Sequence, residues 1–153
     1  MKNIITCVVL ALFATSCQQD KDNPEQAALP LLNAARTEMT KKDYQAARDS
    51  IIRLRQSFPT AFQSRMAAIL LMDSIELSEA KDSLAIQDAR LQEERDKLEA
   101  IKSRQDALKQ DEYYEQKNKV FYMEQHLDEV AAKVKFYIRK IDIDKKKNQA
   151  QAG

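Results

Sequence analysis

Residues 120–141 read VFYMEQHLDEVAAKVKFYIRKI, and apolar side chains recur in this stretch at the spacing of a helix–helix seam. Two interleaved series each repeat every seven residues. The first is Val120, Leu127, Val134 and Ile141, and the second is Met123, Val130 and Tyr137. This repeat gives an α-helix one apolar edge and predicts that it packs against a second helix. The alternation in residues 134–144 (VKFYIRKIDID) also fits a strand, but the sequence offers no partner strand.

A leucine repeat upstream is a candidate partner for this seam. It consists of Leu77, Leu84, Leu91 and Leu98, continued three positions later by Ile101 and Leu108. We assign the companion heptad positions to Lys81, Asp88 and Arg95, whose burial in a symmetric dimer would be costly. We therefore expect a long helix over residues 60–108, a turn near residues 109–118 and a returning helix over residues 117–145. The alternative is one unbroken helix that pairs with another chain, which would make the protein a homo-oligomer.

The positions of glycine and proline indicate the fold class. Gly153 is the single glycine of the 153-residue chain, and Pro59 is the last of its three prolines. Because turns between strands depend on Gly, Pro and Asn, a chain without the first two over residues 60–152 is predicted to be all-α. The expected arrangement is a helix-turn-helix packed on a long helix that continues into a coiled-coil hairpin (the arm, residues 76–145). A disordered tail is expected over residues 146–153.

Residues 24–75 are predicted to form a helical hairpin and a covering helix. Asn23 suits an N-cap and Pro24 the first helical position, while Pro30 favours a regular helix start only near Leu29. A second helix is expected over residues 44–57, where apolar residues share one face.

The turn of this hairpin, Lys42-Asp43-Tyr44-Gln45-Ala46-Ala47, resembles that of a tetratricopeptide repeat. Other positions of that family's pattern fall on Ala35, Ile51, Leu54 and Pro59. The resemblance covers residues 28–61 and implies a helix-turn-helix unit, although Lys42 replaces the usual turn glycine and Glu38 a common aromatic. One repeat cannot bury its own apolar face, so we expect the apolar segment over residues 62–77 (FQSRMAAILLMDSIEL) to cover it.

The first twenty residues, MKNIITCVVLALFATSCQQD, have the layout of a secretory signal. A positively charged start precedes an apolar run over residues 4–13, which is too short to span a bilayer. Ala14-Thr15-Ser16-Cys17 then resembles the lipobox of bacterial lipoproteins, although that family prefers Leu where Ala14 stands. The resemblance implies a signal peptide over residues 1–16, a lipid on Cys17 and a polar tether over residues 17–23. The alternative is an ordinary signal peptide with a free Cys17, or an uncleaved anchor.

The charge balance and the side-chain inventory argue against several functions. The chain has 25 basic and 24 acidic residues, which gives little of the positive potential that nucleic-acid binding requires. His126 is the only histidine and has no cysteine nearby, so no zinc site is expected. Because no glycine-rich loop is possible and no serine has a histidine base at hand, we expect no enzyme, no cofactor and no metal. The basic stretch over residues 139–153 could contact lipid headgroups or phosphate-rich glycans, or could be a solvated helix end.

Four aromatic residues near the expected turn are candidates for binding a partner. They are Tyr113, Tyr114, Phe121 and Tyr122. Neighbouring residues of a helix point about 100° apart, so these side chains cannot all face the seam, and exposed aromatics are enriched at binding sites.

Taken together, the sequence favours a lipid-anchored structural or protein-interaction protein of the cell envelope. Its layout is similar to that of small coiled-coil lipoproteins of Bacteroidota. Gln18 directly after the cysteine favours the outer membrane by the sorting rule of that family, on either its periplasmic or its surface side. The expected partners are the membrane, through the lipid, and an unidentified envelope protein. The alternative is a periplasmic chaperone or assembly factor whose arm clasps client proteins, which would require exposed Met66 and Met72.

Overall fold

The computed structural model describes residues 23–104 and 111–152, and this part of the chain contains four α-helices and no strand. They are α1 (Pro24–Thr40), α2 (Tyr44–Ser57), α3 (Phe62–Lys102) and α4 (Asp111–Ala152). The predicted all-α class is confirmed. The strand alternative for residues 134–144 is wrong, because these residues lie inside α4. The expected signal peptide, Cys17 and the tether up to residue 22 lie outside the described residues.

Helix α1 begins at Pro24, five residues before the regular start expected at Leu29. The side-chain oxygen of Asn23 accepts hydrogen bonds from the backbone N–H groups of Glu25 at 3.0 Å and Gln26 at 3.3 Å. These bonds satisfy donors that a helix start leaves without partners. The capped first turn therefore persists, and the helix continues through Pro30 although proline lacks one N–H donor.

The turn between α1 and α2 requires a left-handed backbone conformation at Lys42, where φ is 63°. A side chain with a Cβ disfavours this conformation. The backbone N–H of Lys42 bonds to the carbonyl of Met39 at 3.0 Å, and its ammonium group pairs with Asp82 of α3 at 2.9 Å. Asp43 then caps α2 by accepting a bond from the N–H of Ala46 at 3.0 Å.

The hairpin of α1 and α2 packs against the first half of α3. Buried apolar residues of all three helices form one cluster, which also includes Ala61 in the link to α3: Ala28, Leu32, Ala35, Ala47, Ile51, Leu54, Ala61, Ala68 and Ile75. Removing this much apolar surface from water is the main force that holds the hairpin on α3. We call these packed segments the head of the molecule.

Helix α4 returns antiparallel along α3, and the two helices together form the arm. Lys119 of α4 pairs with Glu94, and Lys140, further along α4, pairs with Asp73, which lies earlier in α3. Helix α3 ends at Lys102 and α4 begins at Asp111, so residues 111–118, which were expected in the turn, are helical, while residues 109 and 110 lie outside the described residues. Leu108 lies outside the described residues.

Residues 146–152 are helical in the structure, which corrects the expected disordered tail. The sequence has no glycine or proline between Pro59 and Gly153 to end the helix earlier. Lys146 also pairs with Asp142 one turn before it, at 2.8 Å. Such pairs support a solvated helix end.

None of the helices in the two described segments, 23–104 and 111–152, has an apolar stretch long enough to cross a membrane.

Replacing Lys42 by glycine is expected to stabilise the protein by about 1 kcal/mol, because glycine adopts positive φ without a steric penalty. The lost ion pair with Asp82 subtracts little, since the lysine side chain is largely exposed. Urea unfolding followed by circular dichroism measures the change.

Lys41→Gly is the matched control, because Lys41 has a right-handed φ of −79° and glycine brings no relief there. Equal effects of the two substitutions would contradict the assignment of strain to position 42.

Candidate functional site

The arm is built on a seam whose α3 side differs from the one that the leucine repeat predicted. Lys81, Asp88 and Arg95, the expected companion positions, are exposed. The buried or half-buried positions lie three residues after each leucine instead of four: Ala80, Gln87, Glu94 and Ile101. Both spacings make helical neighbours, so the leucines alone did not decide between them.

Glu94 is the most extensively bonded group of this seam, with only 8% of the residue exposed. Its carboxylate accepts hydrogen bonds from the amide of Gln116 at 2.8 Å and from Lys97 at 2.7 Å, and pairs with Lys119 at 2.7 Å. The amide of Gln116 also donates to the backbone carbonyl of Glu94 at 2.9 Å. The bonds from Gln116, Lys119 and Lys97 lower the pKa of Glu94 to about 2.

Asp73 is the second buried carboxylate that faces α4. It pairs with Lys140, whose ammonium group also binds Asp144 at 3.1 Å. Asp73 and Glu94 are 21 residues apart on α3, and Lys119 and Lys140 are 21 residues apart on α4. This equal spacing of three heptads matches acids to lysines in one antiparallel register.

A further polar contact joins three helices where the head meets the arm. Glu76 of α3 accepts a hydrogen bond from Arg48 of α2 at 2.6 Å and pairs with Lys133 of α4 at 3.4 Å. Next to it, the Tyr44 hydroxyl donates to Asp82 at 2.6 Å, and this bond raises the pKa of Tyr44 to about 12. The head and arm are therefore tied together by oriented charged groups as well as by apolar contact.

A groove of about 780 Å³ lies beside this junction, lined by residues that include Ile86, Arg90, His126, Glu129 and Lys133. Positive and negative side chains line it together. Within residues 23–104 and 111–152, no three His, Cys, Asp or Glu side chains are grouped as metal ligands.

The four aromatic candidates are divided between the two sides of α4. Tyr113 is half-buried and packs against the cluster of Leu91, Leu98 and Val120, so it belongs to the seam. Tyr114, Phe121 and Tyr122 are exposed, with Phe121 at 54% and Tyr122 at 70%. The rings of Phe121 and Tyr122 touch edge to face, with centroids 5.6 Å apart.

Two further exposed apolar residues, Phe136 and Ile143, extend this surface and were not among the predicted site residues. At 100° per residue, Tyr114, Phe121, Phe136 and Ile143 point within about 60° of one another. The signal was present in their spacing, but the stronger repeat of the seam concealed it. We call Tyr114, Phe121, Tyr122, Phe136 and Ile143 the outer face of α4.

The methionine surface that a chaperone would need is not fully open. Met72 packs against the core cluster of the head, and Met66 is half-buried. Cys17, the expected lipid site, lies outside the described residues.

Glu94→Gln is expected to flatten the acid dependence of stability. The folded pKa near 2 lies below the ordinary 4.5, so ionised Glu94 stabilises the fold above about pH 4.5, and this contribution is lost as the pH falls towards 2. The variant should be less stable at neutral pH, and the gap to the wild type should close in acid. Urea midpoints measured at a series of pH values test this.

Glu93→Gln, a substitution of the exposed neighbour, should keep the wild-type profile. If the profiles of the Glu94 variant and the wild type run parallel from neutral pH to about pH 2, the role assigned to Glu94 is wrong.

Comparison with protein-family models, with curated proteins and with solved structures finds no match to this chain. The candidate site is therefore defined by its own geometry. It is an exposed aromatic face on the side of α4 that points away from a polar, paired seam.

Proposed function

We propose that this protein is a non-catalytic, lipid-anchored protein of the cell envelope that presents a protein-binding surface on its arm. The outer face of α4 is the observation that carries the proposal. Exposed rings such as those of Phe121 and Tyr122 offer large contact area, and they lose little side-chain freedom on binding. The expected partner is another envelope protein; a second copy of this chain would be recognised by the same experiment.

The stiffness of the arm supports this use. A binding surface on a floppy helix would lose conformational entropy when it docks. Here the ion pairs of Glu94 and Asp73 and the apolar seam hold α4 along its length. The outer face is consequently ordered before a partner arrives.

The attachment through Cys17 rests on the lipobox-like residues 14–17 and on the polar residues that follow them. Two or three acyl chains hold a protein stably on a bilayer, whereas one chain does so only marginally. The outer membrane is the proposed location because Gln18, not Asp, follows the cysteine.

Intact-mass spectrometry of the protein purified from bacterial membranes is expected to show a chain that begins at Cys17 and carries acyl groups. Cys17→Ser should leave an unacylated protein that no longer fractionates with membranes. An unmodified sulfur at position 17 in the membrane-derived wild type would refute the anchor.

A photo-crosslinking side chain at position 122 is expected to capture a discrete partner in intact cells, because Tyr122 is the most exposed residue of the outer face. The same side chain at Ala89, exposed on α3, is the control. Phe121→Ala should reduce binding of the captured partner about tenfold or more, the typical loss when an aromatic anchor is truncated. Equal, diffuse products from positions 122 and 89 would contradict a specific surface.

A further inference from the structure

One end of the molecule is formed by the start of α1, the junction of α2 with α3 and the last turns of α4. The Glu25 carboxylate of α1 accepts the backbone N–H groups of Gln63 and Ser64, both at 2.9 Å, so the starts of α1 and α3 lie together. Seven residues beyond Lys140, α4 reaches Lys147; seven residues before its partner Asp73, α3 reaches Met66. We call residues 23–29, 51–66 and 145–150 the basic end.

The charge of the basic end is almost entirely positive. Residues 51–66 contain three arginines and no acid, and residues 145–150 contain three lysines and no acid. Glu25 is the single acidic residue of residues 23–29, and it is engaged at the start of α3. The opposite end, over residues 91–104 and 111–124, has eight acidic and six basic residues. The molecule is therefore electrically polarised along its length.

Exposed apolar side chains accompany the positive charge. Phe62 is 68% exposed at the first position of α3, and Ile52 and Leu29 are exposed as well. Lys146 pairs with Asp142, but both side chains are largely solvated, so the pair leaves much of the positive potential in place. Basic groups interleaved with an aromatic and aliphatic residues match the interface of an anionic bilayer.

We propose that the basic end lies against an anionic phospholipid surface. This inference rests on the proposed lipid anchor, because Cys17 stands only six residues before Asn23 and an extended chain of that length spans about 20 Å. The anchor thus delivers this end, and no other part of the molecule, to the bilayer. Lysine and arginine side chains are attracted to an anionic surface, and the three arginines and three lysines give this end a second means of attachment.

The contact would also set the direction of the arm. With the basic end on the bilayer, α4, which has 42 residues, rises about 60 Å from it. The rings of Phe121 and Tyr122 would then stand about 40 Å from the lipid headgroups. An envelope partner would be met at that distance from the membrane.

The test uses the protein purified from membranes with its acyl groups and bound to vesicles of phosphatidylcholine, alone or mixed with phosphatidylglycerol. An environment-sensitive fluorophore is attached through Phe62→Cys, and in a second sample through Ser103→Cys at the opposite end. The label at position 62 should shift to the blue only when phosphatidylglycerol is present, and about 1 M salt should abolish the shift. The label at position 103 should keep the emission of a water-exposed fluorophore on both kinds of vesicle.

Charge reversal distinguishes the basic end from general electrostatics. The variant K145E/K146E/K147E should lose the blue shift at position 62. The matched variant K81E/R90E/K117E carries the same change of net charge on exposed residues elsewhere and should keep it. Circular dichroism confirms that both variants fold. Absence of a shift on anionic vesicles, an equal shift on neutral ones, or an equal loss in both variants would overturn the proposal.

Flotation of the same samples tests the lipid anchor separately from the membrane contact of the basic end. An acylated chain floats with neutral and anionic vesicles alike. A chain that floats with anionic vesicles alone, and loses flotation in K145E/K146E/K147E, would refute the anchor and retain the basic end. A chain that floats with neither would refute both.

Discussion

The seam between α3 and α4 contains two buried carboxylates, Asp73 and Glu94, and the register of the arm depends on their lysine partners. An ionised group removed from water is costly unless it is paired and hydrogen-bonded. The apolar positions of the seam would tolerate a slip of one heptad, because similar residues would still meet. In one direction such a slip would bring Glu112 to Glu94 in place of Lys119. The polar groups therefore specify the alignment, and the apolar groups supply the driving force.

The register set by the polar groups of the seam connects the fold to the proposed function. A hairpin in one register holds the outer face of α4 in one orientation relative to the head. Glu76, bonded to Arg48 and Lys133, extends the same principle to the head, where one carboxylate joins three helices. The outer face and the basic end are thereby fixed at two positions of one stiff body. The proposed role of bridging a membrane and a partner would gain from such a fixed separation.

Features that depend on residues close together in the chain could be predicted from the sequence. Features that depend on contacts between residues distant in the chain could not. The expected range of α2, residues 44–57, matches the helix Tyr44–Ser57, which rests on apolar residues close together in the chain and is capped by the adjacent Asp43. The seam side of α4 followed from its regular apolar repeat. The companion positions of α3 did not, because the choice of Glu94 over Arg95 depends on a lysine 25 residues away. The outer face was predicted in part: Tyr114, Phe121 and Tyr122 were candidates from the sequence, whereas Phe136 and Ile143 were not among the predicted site residues.

The distance between residues 88 and 125 tests the fold-back in this register most directly. Both positions are exposed, and the pairing of Asp73 with Lys140 places them at the same level of the arm. Spin labels introduced there through genetically encoded side chains, with excess unlabelled chain present, should lie within about 25 Å, since packed helix axes are 8–10 Å apart. A distance near 55 Å, the span of 37 residues in one unbroken helix, would contradict the account.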